Sequence, residues 1–261
     1  MDPSGATVAT SGTATIARGP MNGPAVVVSV VSHGQNRLVN QLLGDLARLR
    51  PADIGIVVTQ NIRDSEALQA HGLSIDVVVN PAPKGFGANH NAAFERCAAP
   101  RFCVVNPDIR LTEDPFAALL ATLDGERVAV AGPRVCNPDG GIEDSARRFP
   151  TVGRLLRKLL PGSPRPDYPV DQGPLEVDWV AGMFMGFRSD AFRAVNGFDE
   201  RYFLYYEDVD ICRRLKTAGY KTVYEPGVSV THDARRASRR NLRLMRIHAA
   251  SALRYLTRTY R

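Results

Sequence analysis

Nothing in this chain is long and apolar enough to suggest a membrane-spanning helix. Apolar runs such as Ala25–Val31 stop far short of the roughly 18 residues that such a helix needs. Cysteine is scarce: Cys97, Cys103, Cys136 and Cys212 show no CxxC or CxxH spacing. That argues against a zinc knuckle or disulfide framework and fits a reducing, cytoplasmic compartment. Residues 1–23 lack the basic and apolar regions of a secretory signal and read as a disordered extension, with Met21 an alternative start. No GxGxxG fingerprint or Walker loop is present, and no RRM, KH or helix-turn-helix signature. No internal repeat is visible.

What is present is an ordinary globular composition, 44% hydrophobic and 23% charged over 261 residues, enough for one large domain with an appendage. The net charge of +6 is unevenly placed. Residues 233–261 hold nine arginines and one acid, Asp233, a charge of +8; residues 1–232, with 24 basic and 26 acidic side chains, sum to −2. Basicity belongs to the C-terminus. A body of this charge presents no extended surface for phosphate backbones, so no nucleic-acid partner is expected.

From Ala25 the pattern is strand and helix in alternation. The β-branched run Ala25–Val31 predicts a strand buried on both faces, followed by a helix with Leu38, Leu42, Leu43, Leu46 and Leu49 on one side. Strands follow at 54–59, 75–79 and 102–105, with short helices predicted after Gln60-Asn61 and over 91–97. Such alternation predicts an α/β fold with a mostly parallel sheet flanked by helices. Ligands in such sheets bind beyond the carboxyl ends of the strands, where Gln60, Lys84 and Asp108 should converge. Residues 145–174, with six prolines, read as a long loop. Short strands are expected at 128–131, 221–224 and 228–231, and 177–187 is a mostly apolar, ordered segment broken by Gly182 and Gly186. An acidic helix start lies at 207–210, and the arginine-rich tail has Leu242, Met245, Leu253 and Leu256 at helical spacing.

Four places could carry chemistry. Asn106-Pro107-Asp108 sets a carboxylate just past a strand, suited to a hard cation, although the same tripeptide makes turns and caps helices. In Tyr205-Tyr206-Glu207-Asp208-Val209-Asp210 three carboxylates open a helix, which its dipole alone would favour. The aromatic surroundings would also raise a carboxylate's pKa toward that of a general base. His232 at a strand end is either a metal ligand or a hydrogen-bonded histidine. Lys84-Gly85-Phe86-Gly87 is a weak phosphate-cradling turn.

Taken together, these motifs resemble the family 2 glycosyltransferases of the GT-A fold, especially bacterial rhamnosyltransferase-like members. The resemblance runs from about residue 25 to the end. It is most specific over Val177-Asp-Trp-Val-Ala-Gly182, Gly197-Phe-Asp-Glu-Arg-Tyr-Phe203, Tyr206-Glu-Asp-Val-Asp-Ile-Cys-Arg-Arg-Leu215 and Ala218-Gly-Tyr220. It implies a GT-A domain over 24–232 and a basic C-terminal helix over 233–261. It implies that Asp108, in a DxD variant whose first position is Asn106, binds Mg²⁺ or Mn²⁺ with His232, and that Asp208 is the base of an inverting transfer. Ser32, Gln60, Lys84, Gly85, Asn106, Trp179, Gly182 and Glu207 would bind substrate. Where the family usually places an aspartate against the pyrimidine, this chain has Gln60; its amide can accept from N3–H and donate to O4. The implied partners are a dTDP- or UDP-sugar and a glycan or lipid-linked acceptor. The alternatives are a nucleotidyltransferase on a similar sheet, or a non-catalytic protein that binds nucleotide-sugar or nucleic acid. The tail's apolar stripe either meets the inner face of the cell membrane or packs on protein, in this domain or in a homodimer.

Overall fold

The computed structural model describes residues 23–157, 166–169, 172–233 and 242–260. The expected N-terminal extension falls almost wholly outside these residues, as do the arginines at 235, 236, 239 and 240. In chain order the elements are β1 (Val26–His33), α1 (Asn36–Leu49), β2 (Ile54–Ile62), β3 (Ile75–Val79), α2 (Phe86–Phe94), β4 (Arg101–Val105), β5 (Ile109–Arg110) and α3 (Phe116–Leu123). Then come β6 (Val128–Cys136), β7 (Ala146–Arg147), α4 (Val152–Arg157), β8 (Leu175–Val177), β9 (Trp179–Val180), β10 (Phe184–Arg188), α5 (Ser189–Ala194), α6 (Glu207–Thr217), β11 (Lys221–His232) and α7 (Leu242–Thr257).

The main sheet runs β3-β2-β1-β4-β10-β6-β11-β5, with β8 also on β11. β3, β2, β1 and β4 are mutually parallel, β10 is antiparallel to both β4 and β6, and β11 is parallel to β6. The sheet is therefore mixed and mostly parallel, as expected. Its two faces are covered differently. Leu42, Leu43 and Leu46 of α1 and Phe116 and Leu119 of α3 close one face. Phe94 of α2, Phe192 of α5 and Val209, Ile211 and Leu215 of α6 close the other. This two-sided cover explains why β1 is β-branched at both parities; its buried polar residues are Ser29, bonded to His90 Nδ1 at 2.8 Å, and Ser32.

Several predicted elements are corrected. No helix forms after Gln60-Asn61: the α1 asparagines claim the backbone of that segment instead. Asn36 Nδ2 donates to Glu66 O (2.6 Å), Asn40 Nδ2 donates to Ala67 O (2.9 Å), and Asn40 Oδ1 accepts from Gln69 N–H (2.8 Å). Once those groups are satisfied from outside, helix formation gains little. The helix expected at 91–97 starts earlier, at Phe86, because Gly85 caps it. The two expected strands after 221 are one, β11, with a register shift between Glu225 and Ser229. The loop at 145–174 contains β7, paired with β9, and α4.

The tail is attached to the domain. Tyr255 of α7 is buried against Tyr206, and Ser251 Oγ donates to Leu204 O at 2.9 Å. Of the apolar residues read from the tail's spacing, Leu256 packs on the core whereas Leu242, Met245 and Leu253 are exposed. Among the described residues no helix is long and apolar enough to cross a membrane.

Candidate active site

The carboxyl ends of β1, β2 and β4 form one rim, and it positions the predicted donor side. Ser32 and Gln60 face each other in the β1–β2 register. Ser32 is buried, and its hydroxyl donates to Asn36 Oδ1 (2.6 Å) while accepting from Gln35 N–H, so it shapes the start of α1. Asn61, next to Gln60, is the residue that sequence reasoning missed here. Its buried carboxamide accepts from Lys84 N–H (2.7 Å), donates to Lys84 O (2.9 Å) and thereby pins the Lys84-Gly85 turn. Gly85 is required by close approach: a Cβ there would lie 2.7 Å from Phe203 O, which accepts the Phe86 N–H. Lys84, Gly85, Asn91, Glu200 and Phe203 line an open cleft of about 510 Å³.

At β4 the backbone of Asn106 donates to Met183 O, tying the Asn106-Pro107-Asp108 turn to the loop that holds Gly182. Sheet register then joins residues distant in sequence. Ile109 pairs with His232, and Asp233 N–H donates to Asp108 O. His232 Nε2 sits 3.4 Å from Asp108 Oδ2, while Nδ1 bonds Glu143 Oε2 at 2.9 Å. Burial works against the histidine's charge, but its bonds to Asp108 and Glu143 outweigh that and raise its pKa to about 9. Among the described residues no group of three or more His, Cys, Asp or Glu is arranged to hold a metal ion. Two ligands are nonetheless enough for a cation shared with substrate phosphates. Asp108 Oδ1 is buried without a hydrogen-bond partner, and Glu143 orients the imidazole as carboxylates orient metal-ligating histidines. The donor set therefore fits a divalent cation.

The second half of the site sits where α6 begins. Tyr205 and Tyr206 both hold left-handed backbone conformations, φ 69° and 70°, which bulky residues seldom adopt, and such strain concentrates at functional sites. They turn the chain so that Asp208 meets the loop before β10. Asp208 Oδ2 accepts the Gly182 N–H (2.9 Å) and Oδ1 accepts its neighbour's, Val209 N–H (2.8 Å). Burial raises the Asp208 pKa, while those two N–H groups and the Arg147 charge oppose the rise. Glu207 is buried with Oε2 unpartnered, and desolvation together with the adjacent Asp208 charge holds its carboxyl well above the usual range. Both carboxyls are pushed up, Glu207 the further, because it lacks the N–H donors that steady Asp208. Asp210 is structural, taking Arg214 Nε at 2.7 Å.

Trp179 is buried and its indole N–H donates to Arg148 O (3.0 Å). The Arg147 guanidinium covers its ring, 5.4 Å from the centroid. Glu143 and Arg147 were not legible as site residues. They lie four apart on one segment, and β7–β9 pairing plus the Ala181 N–H to Ser145 O bond set that segment between the Asp108–His232 pair and Asp208.

The crevice thus has an acid–histidine pair at one side and a buried carboxyl pair at the other, on a mixed, mostly parallel sheet that known glycosyltransferases share. Residues 24–248 match the model of the glycosyltransferase-like family 2, and the chain belongs to that family; the protein is a glycosyltransferase. It is 29% identical to rhamnosyltransferase WbbL of Escherichia coli K12 over 248 residues, covering 89% of this chain and 93% of that one. It is 37% identical over 139 residues to N-acetylglucosaminyl-diphospho-decaprenol L-rhamnosyltransferase of Mycobacterium tuberculosis, covering 49% of this chain and 45% of that one. Among solved structures, GalNAc-T7 with UDP, GalNAc and Mn²⁺ superposes with a TM-score of 0.59 at 14% identity, covering 83% of this chain and 45% of that one. The mannosyltransferase PcManGT of Pyrobaculum calidifontis with GDP-Man and Mn²⁺ gives 0.58 at 16% identity, covering 92% and 67%. At such identities the likeness establishes the GT-A fold.

Proposed function

We propose that the protein moves a sugar, a deoxyhexose such as rhamnose, from a dTDP- or UDP-sugar to a hydroxyl of a glycan or lipid-linked acceptor in cell-surface polysaccharide synthesis, with inversion. The observation that carries this reading is the Glu207–Asp208 pair. A buried carboxyl whose pKa is raised and whose two oxygens are steadied by N–H donors, beside a second buried carboxyl, is an arrangement suited to taking a single proton. Asp208 accepts the proton of the acceptor hydroxyl. The hydroxyl oxygen then bonds to the anomeric carbon as the bond to the diphosphate oxygen breaks, and the leaving diphosphate keeps that electron pair. One displacement inverts the centre. Relatives named as rhamnosyltransferases support the choice of sugar.

On the donor side, Gln60 addresses the pyrimidine edge, with Ser32 shaping the rim beside it. Lys84 and Gly85 bring a cation and a close backbone approach toward the phosphates, and Asn106 orients the turn before Asp108. Asp108 and His232 would hold Mg²⁺ or Mn²⁺, which when bound neutralises charge on the leaving diphosphate. Trp179 supports Arg147 at the acceptor side, Gly182 aims Asp208, and Glu207 positions the acceptor.

The test pairs two isosteric variants. Asp208→Asn should lower kcat by about 10²–10⁴-fold and leave donor binding, read by thermal shift with Mn²⁺ and a donor panel, unchanged. Glu207→Gln should keep most of the rate, because glutamine keeps the size and hydrogen-bonding reach of a side chain that is not the base. Robust transfer by Asp208→Asn would remove the base assignment, and a product that retains the nucleotide would indicate nucleotidyl transfer instead.

A further inference from the structure

α7 has two stripes, and the domain uses one. His248, Ser251, Tyr255 and Arg258, at intervals of three and four residues, face the body. The His248 ring lies 5.4 Å from that of Tyr206, the Ser251 hydroxyl bonds Leu204 O, and Arg258 bonds Asp199 at 2.7 Å. On the opposite side Leu242, Met245, Ala249 and Leu253 recur at the same helical intervals. Leu242 is 75% exposed, Met245 56% and Leu253 64%. An apolar helix stripe is ordinarily turned into protein, but here the described residues that α7 packs on lie on its other side. Exposed Arg246 and Arg254 flank the stripe, and four further arginines precede the helix in sequence at 235, 236, 239 and 240.

We propose that the outward face of α7 docks on an anionic lipid surface. Charge decides among the occupants such a face could take. A second copy would bring two +8 tails together, while the remainder of each chain sums to only −2. A polyphosphate backbone would pair with the arginines but leave Leu242, Met245 and Leu253 in water. A bilayer surface satisfies both sets: acyl chains take the apolar stripe, and acidic headgroups take the guanidinium groups. The placement also has a consequence for the active site. His248 packs 5.2 Å from Tyr205, so α7 backs directly onto the segment that leads into Glu207 and Asp208. Docking therefore holds that segment about one helix diameter, roughly 10 Å, from the bilayer.

The experiment co-sediments the full chain with vesicles of phosphatidylcholine, with and without phosphatidylglycerol. The expected result is binding to the acidic vesicles that weakens with salt and is nearly absent on neutral ones. The triple variant Leu242→Ser, Met245→Ser, Leu253→Ser should bind at least about tenfold more weakly. Arg246→Glu should lose about fivefold or more. All four positions are exposed, and unchanged far-ultraviolet circular dichroism and melting will show that the variants fold. Equal binding by the triple variant, or no vesicle binding by the parent chain, overturns the proposal. So does a concentration-dependent dimer that the triple variant abolishes, since the face would then join copies of the chain. The vesicle assay does not depend on the proposed reaction, and transfer to a water-soluble acceptor should be unaffected by the triple variant.

Discussion

The titration of Asp208 is set by what surrounds it. Burial pushes its pKa up, and the Gly182 and Val209 N–H groups and the Arg147 charge push it back, so the acid limb of the rate profile reports that balance. Arg147 is the adjustable member: it is held over the Trp179 ring and is ion-paired with Asp144 at 2.9 Å. Replacing Arg147 with Gln removes a positive charge that favours the carboxylate, so the Asp208 pKa rises and the acid limb of kcat/KM moves to higher pH. A pH profile of the variant checks this. An unmoved limb, with only the plateau lowered, would mean that Arg147 contacts substrate without tuning the base.

At the scale of the element, α6 is the part that must not shift, since its first turn carries both carboxylates. Its anchor is Asp210, fully buried and bonded to Arg214 Nε (2.7 Å), to Arg258 Nη1 (2.5 Å) and to the Tyr260 hydroxyl (2.8 Å). Removing one partner of such a buried network leaves the opposite charges uncompensated. Asp210→Ala should therefore cost about 3–5 kcal/mol of stability, measured by urea denaturation; a loss under about 1 kcal/mol would show the network to be effectively solvated. Much of this element was legible beforehand. The acidic helix start at 207–210 follows from helix rules applied to the sequence. The strands β1, β2 and β3 were legible for the same reason, as local runs of β-branched residues. What could not be read is what arises between elements. The missing helix after Asn61 depends on Asn36 and Asn40 of α1, and Glu143 and Arg147 become site residues only through β7–β9 pairing and the reach of β11. Neither has a periodic signature of its own.

For the whole molecule the decisive fact is where the charge sits and how it is fastened. The basic tail is clasped to the acidic body, and Asp199 is the clasp's titratable member. It accepts from Arg201 and, through Arg258, from the end of α7. The hydrogen bond and ion pair with Arg201, helped by Arg258, depress the Asp199 pKa from 3.8 to about 2. A carboxyl depressed on folding contributes stability that is fully present above its unfolded pKa and is lost as pH falls through its folded one. The clasp should therefore hold undiminished at pH 5 and weaken between about pH 4 and pH 2. Over that interval the stability of the parent chain should fall more steeply than that of Asp199→Asn, which has no such proton to gain and starts lower. Parallel slopes for the two proteins would mean that Arg201 and Arg258 do not hold Asp199 ionised in solution. If the slopes diverge as expected, hydrogen exchange should show the amides around Ser251 and Tyr255 opening in the same interval, because Arg258 ties that stretch of α7 to the body through this carboxylate and Asp210.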